Sequence, residues 1–269
     1  MRKTLSGTGG ERVFRAATVS ALTLLTLFFV VIIVSLLSYT DWRTIGSALL
    51  SAETLFAIKL SLATATGTTI VAIAIAIPVA YAISTNSFFG KSLVDSLLDL
   101  PIVISPVAIG AALLVFFNTP AGAGINNNLI RFVFSVPGIV LAQFTIVSAL
   151  AIRLLKSTFD SIDWRYEQVG RTLGCSKPEA FFRVVLPLAK DGLIAAAILT
   201  WARATGEFGA TVTLAGATAM KTETLPIAIS LSLSSANVGQ AVALIFILVI
   251  ISLAALLVIR KFTGRRPII

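Results

Sequence analysis

Long apolar runs separated by short polar segments make up most of the chain. Six of these runs are long enough and poor enough in charge to cross a bilayer as helices, because about 20 apolar residues span its hydrocarbon core. The runs cover about residues 16–38, 61–83, 98–117, 138–155, 192–214 and 236–259. This pattern predicts an all-α integral membrane protein with six transmembrane helices.

The third run departs from the pattern where it begins. It starts near Asp99 and contains Pro101 and Pro106. Proline lacks the backbone donor and its ring clashes with the preceding turn, so the freed backbone groups need neighbours that satisfy them. We therefore expect this span to be kinked or partly unwound.

Composition supports a membrane protein and excludes several kinds of chemistry. Hydrophobic residues make up 57% of the 269 residues and charged residues only 12%, whereas soluble domains carry about 25% charged residues. The chain has no histidine, and Cys175 is its single cysteine. A disulfide within one chain is therefore excluded, and a histidine or cysteine metal site or a Cys-His catalytic pair is nearly so. We expect no metal, no cofactor and no catalytic residue.

Basic residues predict the orientation in the membrane. A net charge of +9 would suggest nucleic acid for a soluble protein, but in a membrane protein it reflects cytoplasmic lysine and arginine, so no nucleic-acid partner is expected. With six spans both termini lie on one side, and that side carries 16 of the 21 basic residues: Arg2, Lys3, Arg12, Arg15, Lys91, the seven from Arg153 to Lys190, Arg260, Lys261, Arg265 and Arg266. The other side carries Arg43, Lys59, Arg131 and Lys221, and Arg203 lies within a span. This bias predicts that both termini are cytoplasmic.

The longest hydrophilic stretch covers about residues 156–190 and is here named the elbow. It is too short for a soluble domain, so residues 1–269 are expected to form a single transmembrane domain. The first helix predicted in the elbow runs from about residue 161 to 173 and stops at Gly174, which suits a left-handed C-terminal cap.

The second predicted helix of the elbow opens with Ser176, and Glu179 completes a capping box. It ends where Pro187 interrupts the pattern. Two interpretations remain open: the elbow lies flat on lipid headgroups, or it is a rigid docking element that transmits force from a soluble partner into the spans. On either interpretation we expect it to present aromatic side chains to the cytoplasm, namely Trp164, Tyr166, Phe181 and Phe182.

The run EQVGRTLGCSKPEAFFRVVLP, residues 167–187, resembles the "EAA" signature of permease subunits of bacterial and archaeal ATP-binding-cassette (ABC) importers. The spacing from Gly174 to Leu186-Pro187 fits that signature, whereas Gln168-Val169-Gly170 stands where Glu-Ala-Ala is usual. The resemblance extends from about residue 55 to 262. It implies a type I ABC importer permease fold in which the elbow is the coupling helix, seated in a groove of the ATPase. The implied docking residues are Glu167, Gln168, Val169, Gly170, Gly174, Cys175, Ser176, Phe181, Phe182, Leu186 and Pro187.

The chain lacks a nucleotide-binding motif of its own. A P-loop needs Gly-x-x-x-x-Gly-Lys-Ser/Thr so that backbone amides can hold phosphates, and no such run occurs. ATP hydrolysis is therefore expected on a separate subunit, and the chain itself is not an enzyme. The resemblance implies two ATPase subunits, a second copy of this permease, an extracytoplasmic binding protein, and a prokaryotic cell membrane as the location.

The fifth run carries two charges, Arg203 and Glu207. Counted along a continuous helix from Asp191, they lie about 18 and 24 Å into the span. Charges at that depth are costly and mark a candidate functional site. Being four residues apart, they can form an internal ion pair that holds helices together. Alternatively, the pair or the backbone from Gly206 to Gly209 lines or gates an anion path.

The run TWARATGEFGATVTLAG, residues 200–216, resembles the molybdate, tungstate and sulfate branch of these permeases. The run MKTETLPIAISL, residues 220–231, is more similar to the molybdate and tungstate members. The resemblance implies a tetrahedral oxyanion as cargo. The residues expected at the translocation path or gate are Arg203, Thr205, Gly206, Glu207 and Gly209.

Two other functions compete with an importer permease. A secondary anion transporter or channel would use Arg203 and Glu207 as a gate or proton relay, but it would leave the elbow without a role, and no internal repeat is evident. A membrane-embedded enzyme would need convergent nucleophiles, acids or metal ligands, for which one Arg-Glu pair is too little.

Overall fold

The computed structural model describes residues 8–38, 46 and 48–263, most of which are helical, with no strand among them. The orientation prediction rests partly on Arg2, Lys3, Arg43, Arg265 and Arg266, which lie outside the described residues. The helices are α1 (Thr8–Ser38), α2 (Ala52–Thr85), α3 (Lys91–Val103), α4 (Pro106–Asn118), α5 (Pro120–Asn128), α6 (Val136–Asp160), α7 (Arg165–Thr172), α8 (Lys177–Leu188), α9 (Lys190–Thr205), α10 (Gly209–Ala215), α11 (Leu225–Ser234) and α12 (Val238–Thr263).

Four continuous helices are long and apolar enough to cross a membrane, and they confirm the first, second, fourth and sixth predicted spans. These are α1, α2, α6 and α12. Two bent helix pairs, α3 with α4 and α8 with α9, bring the number of spans to as many as six when each pair is counted as one. The apolar window of α1 buries none of its surface against the other described helices.

The third predicted span is broken, as its prolines indicated. Helices α3 and α4 meet at an angle of 109°. The break lies at Ser105, whose hydroxyl accepts the Ala108 amide (3.3 Å), while Pro106 opens α4. A capping serine followed by proline starts a new helix. Pro101, by contrast, lies inside α3.

The fifth predicted span is not one continuous helix, and that part of the prediction is wrong. Helix α9 ends at Thr205, and α10 begins only at Gly209. The Glu207 carboxylate accepts the Ala210 amide (3.0 Å) and so caps the start of α10. The depth of Glu207 therefore cannot be counted along one helix. Helix α11, which follows α10, was not predicted.

The core forms where α2 and α6 pack side by side, with α9 lying across both. The α2 face turned inward carries small residues at helical spacing: Ala65, Ala72, Ala76 and Ala80, all fully buried. Small side chains let helix backbones approach closely, which is how membrane helices gain packing energy. Helix α12 packs on α9 and α11, and α10 packs on α4 and α6.

Buried hydrogen bonds link the central helices. Ser61 of α2 accepts the Leu225 amide at the start of α11 (2.7 Å). Thr68 donates to Gln143 Oε1 of α6 (3.0 Å), and Gln143 Nε2 donates to the Ala204 carbonyl of α9 (3.1 Å). A buried polar group that loses its partner destabilises the fold by about 1–3 kcal/mol. These hydrogen bonds therefore favour one alignment of the four helices.

Candidate functional site

The first helix of the elbow is α7, which begins at Arg165 rather than near residue 161. The difference arises because α6 continues to Asp160 and Ser161 caps its end. The predicted left-handed cap is confirmed, with Gly174 at φ +94°. The Gly174 amide donates to the Arg171 carbonyl and the Cys175 amide to the Gly170 carbonyl (3.1 and 3.2 Å). This is a Schellman motif, which fixes the direction in which the chain leaves α7.

The predicted capping box at the start of α8 is also confirmed. The Ser176 amide donates to Glu179 Oε2 (2.8 Å), and Ser176 Oγ accepts the Glu179 amide (3.5 Å). The hydrogen bonds from Ser176 lower the pKa of the Glu179 carboxyl below its usual value. Helix α8 contains a π turn just before Pro187 and ends at Leu188. That wider turn accommodates the proline, which would otherwise clash with the carbonyl four residues earlier.

Some of the predicted docking residues contact the rest of the subunit instead of facing outward. Glu167 accepts a hydrogen bond from the Tyr81 hydroxyl (2.9 Å), and the Phe181 ring lies 4.6 Å from the Tyr81 ring. Gly170 is buried, and a Cβ there would lie 3.2 Å from the Val184 side chain. These residues attach the elbow to the spans and pack α7 on α8.

The outward side of the elbow carries exposed apolar side chains. Of the predicted docking residues, Gln168, Val169, Gly174, Ser176, Phe182 and Pro187 are exposed, while Cys175 and Leu186 are half-buried. Leu173, which sequence reasoning missed, is 81% exposed. Its signal was an apolar residue directly before the glycine cap of an otherwise polar helix. Trp164 and Tyr166 of the elbow are exposed as well.

A cavity of about 470 Å³ lies between the elbow and the adjoining ends of α2 and α6. Its walls carry charges of both signs, including Asp160, Asp163, Glu167, Arg171 and Lys177. Asp160 is already engaged, because it accepts from Ser84 (2.5 Å) and pairs with Lys156 (2.7 Å). The cavity lies beside the apolar contact through which Val185 and Phe181 of α8 pack against α2 and α6.

The structure brings Arg203 and Glu207 together across the break between α9 and α10. Arg203 Nη1 lies 2.7 Å from Glu207 Oε2, and the Glu207 side chain is only 1% exposed. Glu207 Oε1 accepts the Ala210 amide (3.0 Å). The carboxylate is thus neutralised by Arg203 and occupies an amide at the start of α10. That amide is not free to bind an anion, which favours the structural interpretation of the pair.

The other predicted path residues have local roles in the described structure. The Thr205 hydroxyl donates to the Trp201 carbonyl of its own helix (2.9 Å). Gly206 has an ordinary φ of −89°, and a Cβ there would meet nothing closer than 3.8 Å. At Gly209 a Cβ would lie 3.0 Å from the Val107 side chain, so this glycine allows α10 to approach α4.

Sequence reasoning missed Gln143 near this break. Its amide nitrogen donates to the Ala204 carbonyl, which also accepts the Glu207 amide (3.1 Å each). Gln143 therefore anchors the last turn of α9 from α6. The available signal was an uncharged polar residue in the middle of an apolar run, which is uncommon at membrane depth.

A second charged cluster joins α3 to α6. Arg153 forms ion pairs with Asp95 (3.4 Å) and with Asp99, which it contacts through two guanidinium nitrogens. The sequence placed Arg153 among the cytoplasmic basic residues and assigned it no partner. Its partners lie one turn apart on α3, so a single arginine holds that helix against α6.

Comparisons with known proteins agree on one group of relatives. A family model described as "binding-protein-dependent transport system inner membrane component" matches residues 72–266. The molybdenum transport system permease protein ModB of Haemophilus influenzae is 35% identical over 173 residues, covering 63% of this chain and 76% of that protein. The probable transport system permease protein NifC of Clostridium pasteurianum is 30% identical over 212 residues, covering 76% and 74%. The sulfate transport system permease protein CysW of Synechococcus elongatus is 33% identical over 172 residues, covering 63% and 60%.

Solved structures share the fold at much lower identity. A chain of a bacterial ABC transporter involved in the import of the acidic polysaccharide alginate superposes with a TM-score of 0.75 at 16% identity, covering 96% of this chain and 99% of that one. A second structure of a bacterial alginate ABC transporter, in complex with a pentasaccharide-bound periplasmic protein, gives a TM-score of 0.73. The common architecture therefore extends over nearly the whole chain.

Proposed function

The chain belongs to the binding-protein-dependent transport system inner membrane components, and from that membership we propose that it is the membrane-spanning subunit of an ATP-driven importer for a tetrahedral oxyanion. It is a multi-pass membrane protein with the type I ABC importer permease fold, and it is a transport permease rather than an enzyme. Molybdate or tungstate is the proposed cargo, with sulfate next.

The observation that carries the cargo proposal is the identity to permeases named for molybdenum transport. It is supported by the run at residues 200–216, which includes the Arg203–Glu207 pair. Because Arg203 neutralises the buried carboxylate, this segment can border a path for an anion without repelling it. A sulfate permease is also a relative, so sulfate is the competing cargo.

The proposed partners are two ATPase subunits, a second copy of this chain, an extracytoplasmic oxyanion-binding protein and the surrounding lipid. We place both termini in the cytoplasm, because most basic residues flank the spans on that side. Residues 1–269 then form one transmembrane domain whose elbow projects toward the ATPase.

We assign ATPase docking to the exposed side of the elbow. Val169, Leu173 and Phe182 present large apolar side chains there, although they belong to a predominantly polar segment. Exposed apolar patches on such segments are typical of protein interfaces. Gly174 and the Ser176 capping box give this surface a fixed shape, while Glu167, Gly170 and Phe181 support it from behind.

The alternative function, a secondary transporter or channel without an ATPase, is less well supported. The family comprises components of binding-protein-dependent transport systems. The elbow has two capped helices and an outward apolar face, which a channel would not require.

The test is reconstitution with a candidate ATPase and binding protein in lipid vesicles. We expect molybdate or tungstate to stimulate ATP hydrolysis in the presence of the binding protein, and sulfate to stimulate it less. If sulfate stimulates ATP hydrolysis most, the cargo assignment is wrong but the importer assignment stands. ATP-independent uptake of any of the three oxyanions would contradict the importer and favour the secondary transporter.

A further inference from the structure

The Tyr81 side chain joins the end of α2 to both helices of the elbow. Its hydroxyl donates to Glu167 Oε2 of α7 (2.9 Å), and its ring centroid lies 4.6 Å from that of Phe181 in α8. The ring also lies 5.9 Å from Phe159 of α6, in an edge-to-face arrangement. Tyr81 thus contacts three helices besides its own, and it lines the cavity between the elbow and the span ends.

Glu167 is committed to this contact. Among the described residues it forms no ion pair, and Tyr81 is its hydrogen-bond partner. Arg171, one turn later on α7, is exposed and does not approach the carboxylate as an ion pair. A hydrogen bond to an ionised carboxylate is about twice as strong as one between neutral groups. The elbow is therefore held to α2 by a strong directional bond as well as by aromatic packing.

Helix α2 leads from this contact to the break between α9 and α10. Thr68 lies 13 residues before Tyr81, which corresponds to about 20 Å along the helix. There Thr68 bonds to Gln143, and Gln143 bonds to the Ala204 carbonyl, next to Glu207. A displacement of the elbow that moves α2 therefore reaches the Arg203–Glu207 pair through contiguous contacts.

We propose that Tyr81 is a positioning residue through which the elbow moves α2 during ATP-driven transport, and that its hydrogen bond to Glu167 carries this coupling. The inference rests on the proposed function, because it needs an ATPase to displace the elbow. Glu167 then acts between the elbow and the span, inside the subunit, rather than on the ATPase surface.

The test measures molybdate taken up per ATP hydrolysed by the reconstituted complex. Tyr81→Phe keeps the ring packing and removes only the hydroxyl, and Glu167→Leu removes the acceptor. Each is expected to lower the ratio by roughly tenfold to a hundredfold, the size of one lost hydrogen bond to a charged group. The double variant is expected to be no worse than either single variant, because both remove the same interaction.

Two control variants separate coupling from folding. Glu167→Gln keeps a carbonyl acceptor for Tyr81 but loses the charge, so its ratio should fall between those of the wild type and Glu167→Leu. Ser84→Ala removes the hydrogen bond from α2 to Asp160 of α6, one turn beyond Tyr81, and leaves the contacts of Tyr81 with both elbow helices in place. It should lower the melting temperature without changing the ratio. Equal ratios for Tyr81→Phe and Ser84→Ala would overturn the proposal. Loss of ATPase binding in Glu167→Gln, together with normal transport by Tyr81→Phe, would also overturn it.

A measurement without cargo keeps this inference distinct from the oxyanion assignment. Spin labels at positions 70 on α2 and 183 on α8, in a Cys175→Ser background, report the distance between span and elbow in the ATPase-bound complex. An ATP analogue should leave that distance unchanged in the wild type and change it in Tyr81→Phe. Identical behaviour of the two would overturn the inference even if molybdate is the cargo. A wild-type chain that binds no ATPase would overturn both the inference and the proposed function.

Discussion

At the scale of single residues, Glu207 keeps a charge in an environment almost closed to solvent. Its side chain is 1% exposed, and its two oxygens contact Arg203 and the Ala210 amide. A buried carboxylate without such partners would be protonated or would destabilise the fold. Both partners come from the same short segment, so the charge of Glu207 is compensated within it.

We predict that Arg203→Met lowers the free energy of unfolding by about 1–3 kcal/mol, because Glu207 is left buried without a counter-charge. The value lies below that of fully buried pairs, since Arg203 is 38% exposed. Adding Glu207→Gln should restore stability, because both charges are then absent and the amide oxygen can still accept from Ala210. Thermal unfolding of the four variants in detergent measures this coupling. If the double variant folds and binds the ATPase but has lost oxyanion uptake, Arg203 has a role in the path.

Residue contacts were predictable from the sequence only where they are local. The Arg203–Glu207 pair and the Ser176–Glu179 box follow from spacings of four and three residues along the chain. Tyr81 and Glu167 are 86 residues apart, and Gln143 and Ala204 are 61 apart. Such contacts depend on how whole helices pack, which periodicity does not encode.

At the scale of elements, the elbow is a pair of short helices whose angle is set by caps. The Schellman motif at Gly174 ends α7, and the capping box at Ser176 starts α8 only two residues later. Short helices gain little stability from propensity alone. Their ends and the packing of Gly170 against Val184 therefore determine the shape of the elbow.

We predict that Gly174→Val uncouples ATP hydrolysis from transport and weakens ATPase binding. The backbone there has φ +94°, and no atom lies within 4 Å of an added Cβ, so the cost is conformational rather than steric. For a β-branched residue it is about 1–2 kcal/mol. Co-purification of the ATPase measures the effect. Gly174→Asn is the control, because asparagine tolerates the left-handed region; a Gly174→Val complex that forms and transports normally would contradict the prediction.

Element boundaries show where sequence reasoning succeeded and failed. The caps at Gly174 and Ser176 were predicted, and the prolines of the third run predicted its bend, because each of these signals lies in a few adjacent residues. The break after Thr205 was missed, since the run there is apolar and contains no proline. Its cause is the Glu207 carboxylate capping α10, and a glutamate in an apolar run can equally face a partner helix.

At the scale of the whole molecule, the core is built from helices distant in sequence, while α1 contributes nothing to it. The four continuous spans were predictable because their apolar runs have the length that crosses the bilayer core. The bend angle within each helix pair could not be predicted from composition, because a straight span and a broken span can have the same composition. It depends on how the helices pack in the folded chain. The alignment of α2 with α6 likewise depends on small residues and buried polar contacts. Neither apolar run by itself indicates which residue of the other helix each of these will meet.

We predict that single cysteines at positions 128 and 221 react with a membrane-impermeant maleimide from outside the cell, and one at position 177 only from the cytoplasmic side. Asn128, Lys221 and Lys177 are exposed, so access depends on topology alone. A Cys175→Ser background avoids labelling of the native cysteine. Reaction of positions 128 and 221 only in inside-out vesicles would reverse the orientation.

The polar contacts of α2 have a consequence for how the chain is made. Ser61 bonds to Leu225, 164 residues later, and Thr68 bonds to Gln143, 75 residues later. At about 5–20 residues per second, the ribosome needs roughly 10–30 s after α2 to deliver Leu225. Until then the Ser61 hydroxyl lacks its partner on α11, and Thr68 lacks its partner until Gln143 is made, while hydrocarbon offers none. Helix α2 is therefore expected to stay beside the insertion machinery, or to bond its hydroxyls to its own backbone, until α6 and α11 arrive.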